Sequence, residues 1–322
     1  MNAPGLAVIA VGGNSLITDN KRISVENQYK AIQKTVRHIA DVIESGRQVV
    51  VTHGNGPQVG FIMRRSEIAR KVAGMHPVPM ASCVADTQGA IGWQIQQALF
   101  NELMRRNVKE KNHGKAISVV TQVLVDKDDP AFANPSKFVG EFFQDEDLPT
   151  LKKEFPHWVI KQDSGRGWRR VVPSPKPVEI VELDAIRSLL KDGFNVVAVG
   201  GGGIPVIADS VGELHSVAAV VDKDLASRLL ATELGAELFV ISTAVKKVSV
   251  NFGKPDQKDL GRVTASDMRA YDAGGHFPAG SMRPKVLAAI EFLDNGGKEA
   301  IITSPENLKK ALLSGAGTHI VL

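Results

Sequence analysis

Short apolar runs that stop at glycines set the pattern of this chain. Residues 6–11 form one such run, ending at Gly12-Gly13-Asn14-Ser15, and read as a buried strand. Residues 23–43 follow with Ile32, Val36, Ile39 and Ile43 at helical spacing, and Ser45-Gly46 ends that helix. A second strand, 48–52, stops at His53-Gly54-Asn55-Gly56-Pro57-Gln58-Val59-Gly60. Strand, glycine turn, helix, strand, glycine turn is the pattern of a parallel α/β sheet. Residues 90–106 predict a helix with Ile91, Ile95, Ala98, Leu99 and Leu103 on its apolar face, and Trp93 is expected to pack. A strand at 116–125, a helix at 178–190 and a strand at 195–199 follow, the last running into four glycines, Gly200 to Gly203. Strands at 238–243, 299–303 and 317–322, with helices at 286–293 and 305–313, complete the expected sheet.

Residues 126–177 break this regularity. They are rich in turn residues and charge, too long for a simple loop, and predict an insertion with its own strands. Arg166, Arg169 and Arg170 lie in it and are expected on a solvated face.

Composition narrows the classes. The chain has 322 residues, 43% hydrophobic and 23% charged, with 30 glycines, enough for one large domain with a real core. A formal charge of +4 with scattered cations does not imply nucleic-acid binding, though it suits a site for small anions. Cys83 is the only cysteine, which excludes an intrachain disulfide or a paired-cysteine metal site and fits a reducing compartment. It is expected to be a buried small residue rather than a nucleophile. No stretch approaches a membrane span, and Met1 to Gly5 lacks the features of a signal peptide, so a soluble cytoplasmic protein is expected.

The candidate chemistry centres on Asp222-Lys223-Asp224. An apolar run, 217–221, ends there, and a helix with Leu225, Leu229, Leu230 and Leu234 at helical spacing begins. Asp222 or Asp224 can cap that helix. A lysine held between two carboxylates is also what a transferring phosphoryl group needs. Glycine turns at strand ends let backbone N–H groups approach an anion, or are simply tight turns. Neither early turn matches the Walker or dinucleotide-binding fingerprint. The four-glycine run is a stronger signal, because packing alone rarely needs it. Lys285 falls in the first turn of a helix, against the helix dipole, a conflict expected where an anion sits nearby.

Taken together, several stretches resemble the carbamate kinases of the amino acid kinase family, nearly end to end. They are Val11 to Ser15, Thr52 to Gly60, Thr121-Gln122-Val123, Asn134-Pro135-Ser136-Lys137, Asp163 to Ser174, Gly200 to Val206, Asp222 to Asp224, and His276-Phe277-Pro278 with Gly280-Ser281-Met282. The resemblance implies an open three-layer α/β/α sandwich with a mainly parallel sheet. It implies a single domain over 1–322, with an acceptor half at 1–190, a protruding subdomain at 138–172 and a nucleotide half at 191–322. The implied reaction is reversible phosphoryl transfer between carbamoyl phosphate and MgADP, an ATP:carbamate phosphotransferase ending a catabolic route such as arginine metabolism. Lys137, Lys223 and Lys285 would contact phosphates, and Asp224 would hold the lysines. Gly12, Gly13, Asn14, Gly54, Asn55 and Gly56 would present backbone N–H groups to the acceptor and phosphoryl group. Gly202, Gly203, Thr243 and Met282 would border the nucleotide. Mg²⁺ would be held by nucleotide phosphates and water, with no protein ligand, and a homodimer is implied. Another carboxylate acceptor, or a silent sensor of nucleotide or carbamoyl phosphate, are the alternatives. Three positions depart from the family pattern: Phe138 stands where proline is common, Arg283 where glycine is common, and Lys246 where an acidic residue is usual. The two extra cations are expected to tune nucleotide affinity.

Overall fold

The computed structural model describes residues 5–12, 24–56, 58–108, 114–163, 167–278 and 281–322. Strand Ala7–Val11 is buried along its whole length. Its side chains alternate between two cores: Ala7, Ile9 and Val11 face one, Val8 and Ala10 the other. A parallel strand covered on both faces needs such a continuous apolar run. It lies between Val49–His53 and Leu238–Ser242, parallel to both. The full sheet runs Arg262–Thr264, Thr318–Val321, Glu299–Thr303, Leu238–Ser242, Ala7–Val11, Val49–His53, Asn195–Val197, Ala116–Ser118. Among the described residues its one antiparallel pairing joins Glu299–Thr303 to Thr318–Val321.

Helices cover both faces. Val25–Glu44, Met80–Arg105 and Leu308–Ser314 close one core, and Leu183–Lys191, Lys223–Glu233, Ala265–Ala273 and Arg283–Asp294 close the other. The architecture is thus three layers, helices on each side of a mainly parallel sheet. The first helix buries Ile32, Val36, Ile39 and Ile43 as their spacing predicts, and Ser24 caps it by accepting a hydrogen bond from the Asn27 N–H at 3.2 Å. Among the described residues no helix is long and apolar enough to cross a membrane.

Several expectations are corrected. The strand expected at 116–125 is two strands in different sheets, Ala116–Ser118 and Gln122–Val125. The helix expected at 178–190 starts late. Pro177–Ile180 pairs antiparallel with Gln122–Val125, and only Leu183–Lys191 is helical. The helix expected from residue 90 begins at Met80, straight after Pro79. Trp93, expected to pack, is 55% exposed. Helices Gln58–Ala73 and Ala265–Ala273 had no counterpart in the periodicity.

The irregular stretch folds into a separate antiparallel sheet, Lys137–Phe143, Trp168–Val172 and Val159–Gln162. Arg169 and Arg170 are not on a solvated face. Arg169 donates to Asp163 at 2.9 Å and to the Gly140 carbonyl at 3.1 Å, while Arg170 pairs with Glu67 at 3.5 Å and lies over the Trp158 ring. Arg166 lies outside the described residues. This small sheet touches the main body where two backbones meet. A Cβ on Gly60 would sit 2.1 Å from the Gly140 Cα, so helix Gln58–Ala73 and strand Lys137–Phe143 approach as only glycine allows. Gly60→Ala should therefore lower the stability of the chain by about 1–3 kcal/mol, as overpacking does. A urea midpoint equal to that of the parent chain would contradict the close approach.

Candidate active site

The site lies at the carboxyl edge of the sheet, where parallel strands place ligands. Val221 is buried, and the chain turns into helix Lys223–Glu233 at Asp222. Asp222 is the cap: one carboxylate oxygen accepts the Asp224 N–H at 2.9 Å, and the other accepts Lys137 Nζ at 2.6 Å. Asp224 does not cap. Its side chain is 4% exposed and accepts Lys223 Nζ at 2.5 Å on one oxygen and Lys285 Nζ at 2.9 Å on the other. Lys285 occupies the first turn of helix Arg283–Asp294, and this carboxylate offsets its conflict with the helix dipole. Beneath the cluster, the Ser227 hydroxyl donates to the Lys223 carbonyl at 2.5 Å and lies 2.6 Å from the Thr52 hydroxyl, tying the helix to strand Val49–His53.

The charges do not cancel. Burial opposes ionisation of Asp224, but the ammonium groups of Lys223 and Lys285 outweigh it and hold the carboxyl well below the usual carboxylate range. Burial pushes the Lys223 ammonium below an ordinary lysine, and Lys285 adds to this, with Asp224 opposing. Two cations sharing one carboxylate leave a positive charge that an incoming anion would relieve.

Two cavities flank Lys223. One, of about 430 Å³, is lined by Gly12, Lys223, Thr243, Lys247, Met282 and Lys285. The other, of about 190 Å³, is lined by Gly54, Asn55, Gly56, Lys137, Arg169 and Lys223. The structure thus gathers Lys137, Lys223, Asp224 and Lys285, and puts Thr243 and Met282 on the larger cavity. Gly13 and Asn14 lie outside the described residues. The N–H groups of Gly12 and Gly54 do not face an anion: they donate to the Ser242 and Val11 carbonyls at 3.0 and 3.1 Å, extending the sheet. Gly54 serves by its lack of a side chain, since a Cβ there would lie 3.2 Å from Lys223 Cδ. Gly202 and Gly203 line neither cavity. Their Cβ atoms would lie 2.3 Å from the Val221 carbonyl oxygen and 2.1 Å from Val123 Cγ2, so they let the turn pack beneath the Asp222 segment.

Other residues at the site carried weaker signals. Phe138 lines the smaller cavity, with the Arg169 guanidinium over its ring. Lys247 lines the larger cavity, whereas Lys246 is exposed outside it. Arg283 is paired with Asp272 through two hydrogen bonds of 2.7 and 3.1 Å, which offset its charge. Cys83 is buried, and burial pushes its thiol up to about 11, in keeping with an inert residue.

His53, at the end of its strand, is almost fully buried against Gly200. Burial lowers its pKa from 6.5 to about 4; its contact with the Gly54 carbonyl opposes this, and Lys223 adds to it. The ring is therefore neutral in the folded chain wherever the unfolded chain begins to protonate it. Stability should fall as pH drops from 6.5 towards 4, because the unfolded state then binds the extra proton. Urea midpoints at pH 7 and pH 5 should converge more in His53→Gln than in the parent chain. An equal loss in both would show that His53 does not contribute.

Comparison with known proteins agrees with this geometry. The sequence profile described as the amino acid kinase family matches residues 5–304. Carbamate kinase-like protein YahI of Escherichia coli K12 is 51% identical over 98% of this chain and 98% of its own. The carbamate kinase of Thermococcus kodakarensis is 47% identical, with the same shares covered. The structure of a carbamate kinase from Giardia lamblia bound to AMP-PNP superposes with a TM-score of 0.89 at 39% identity, covering 100% of this chain and 99% of that one. A lysine–aspartate cluster between two cavities, on a fold and sequence shared end to end with these proteins, places the chain in the amino acid kinase family, among its carbamate kinases.

Proposed function

We propose that this chain transfers a phosphoryl group between carbamoyl phosphate and MgADP, yielding ATP and carbamate, which breaks down to ammonia and carbon dioxide. One observation carries the reading: Lys223 lines both cavities and shares Asp224 with Lys285. A phosphoryl group passing between the cavities would meet that shared positive charge along its path. MgADP would occupy the larger cavity, beside Thr243 and Met282, and the acceptor would occupy the smaller one, beside Asn55, Gly56 and Lys137. The ADP β-phosphate oxygen attacks phosphorus while the carbamate oxygen leaves with the bonding pair, so no general base and no covalent enzyme intermediate are needed. Asp224 orients the two ammonium groups and takes no proton. A Mg²⁺ ion would arrive with ADP, held by phosphate oxygens and water. That ion would spread the charge on the phosphate oxygens.

The same reading includes a cytoplasmic homodimer. Along helix Met80–Arg105 the exposed side carries Trp93, Phe100 and Met104, and no exposed charge lies between Asp86 and Arg105. A self-complementary apolar stripe of this kind fits a second copy about a two-fold axis.

Purified protein given MgADP and carbamoyl phosphate should form ATP far above the spontaneous decay of carbamoyl phosphate. Lys223→Ala and Lys285→Ala should each lower turnover by about 100-fold or more, the scale of a lost charge stabiliser, while circular dichroism stays unchanged. Parent-level turnover in either variant would remove the lysines from the chemistry. ADP binding without ATP would point to another acceptor or to a silent sensor. By sedimentation, Trp93→Glu should give a monomer; a parent chain that is already monomeric would exclude the dimer.

A further inference from the structure

Asn55 reaches the smaller cavity from a turn, and a side-chain amide on a turn can present either its oxygen or its NH₂ group. What decides between them is buried behind it. Thr87, on helix Met80–Arg105, is 1% exposed, and its hydroxyl lies 2.6 Å from Asn55 Oδ1. The same hydroxyl lies 2.7 Å from the Val84 carbonyl. A threonine hydroxyl has one proton, so it donates to one of these oxygens at a time. When it donates to Asn55, the amide oxygen is occupied. The NH₂ group then lies towards Gly201, whose carbonyl accepts from it at 3.4 Å and which also lines the cavity. When it turns to Val84, its oxygen can only accept from the amide, which favours a reversed amide with NH₂ on the threonine and oxygen towards the Gly201 carbonyl and the cavity. An oxygen there would repel a phosphate or carbamate oxygen, whereas an N–H would bind it.

The neighbouring residue acts through Thr121 on the turn that carries Gly201. Gln88 donates to the Thr121 carbonyl at 2.9 Å and accepts the Thr121 N–H at 2.8 Å, and the Thr121 hydroxyl accepts the Val199 N–H at 3.0 Å. Val199 has a φ of 53°, a left-handed conformation that a branched residue resists, immediately before the glycine turn. Two successive residues of one helix therefore grip both turns that face the acceptor.

We propose that Thr87 is a positioning residue: its hydroxyl holds the Asn55 amide with its N–H group towards the acceptor, and so sets the affinity for carbamoyl phosphate and not for ADP. This rests on the carbamoyl phosphate reading above and deepens it. The test uses the full chain, with KM measured for each substrate in turn while the other is saturating. Thr87→Val keeps the shape and removes the hydroxyl. It should raise the KM for carbamoyl phosphate about tenfold, the effect of one lost hydrogen bond at a charged ligand, while the KM for ADP stays within about twofold. Thr87→Ser should restore the parent KM. The proposal falls if Thr87→Val leaves the carbamoyl phosphate KM unchanged, if both KM values rise together, or if serine is as poor as valine. Should the valine variant not fold, Asn55→Asp keeps an oxygen for Thr87 but turns a second, charged oxygen to the cavity. It should then lose carbamoyl phosphate binding and keep calorimetric ADP binding, and unchanged carbamoyl phosphate binding would overturn the proposal. Should the parent chain make no ATP, the reaction reading fails separately, and the same variants are compared by calorimetric binding of carbamoyl phosphate, with the same outcomes deciding.

Discussion

Everything at this site depends on one buried carboxylate that two lysines share. Asp224 accepts from Lys223 on its own helix and from Lys285 on another, so a single side chain ties the two helices together at the sheet edge. Removing one partner of a buried charged pair is costly, because the remaining charge is left uncompensated. Here the imbalance is built in. Two ammonium groups face one carboxylate, and the surplus lies where the two cavities meet. The arrangement is most comfortable when a second anion is present, which is what a phosphoryl group supplies on its way across.

The fold serves that point by bringing backbone unusually close. Strand ends at Val11, His53 and Ser242 lie side by side, and the glycines after them leave room for side chains arriving from elsewhere. Gly54 admits the stem of Lys223. The left-handed turn Gly201–Gly203 fits under the segment that enters Asp222. Gly60 and Gly140 let the small three-stranded sheet settle against helix Gln58–Ala73, which brings Lys137 within reach of Asp222. Each glycine gives up conformational entropy on folding, and the return is the placement of a charged side chain.

The central elements were legible because local chemistry and global placement agree there. The abrupt change from Val221 to alternating charges marked a helix start, and the misfit of Lys285 with its helix dipole marked an anion, which proved to be Asp224. Glycine runs announced a close approach without saying what approaches. Gly202 and Gly203 meet Val221 and Val123, not the larger cavity, and the N–H groups of Gly12 and Gly54 belong to the sheet. Partners far apart in sequence were out of reach. Nothing local in Arg169 or Arg170 points to Asp163 or Glu67, so a turn-rich stretch read as solvated surface. Trp93 sat at helical spacing beside apolar residues, yet faces outward. Thr87 and Gln88 lie in the first turns of helix Met80–Arg105, ahead of the regular apolar spacing that begins at Ile91, and only Pro79 marks that start.

The most direct test of this account is the turnover of Asp224→Asn with MgADP and carbamoyl phosphate, beside calorimetric ADP binding. Asparagine keeps the shape but lacks the charge that holds both lysines. Turnover should fall by about 100-fold or more, with ADP still bound. A variant that turns over within a few-fold of the parent chain would mean that the lysines do not depend on Asp224, and the organising role assigned to it would be wrong.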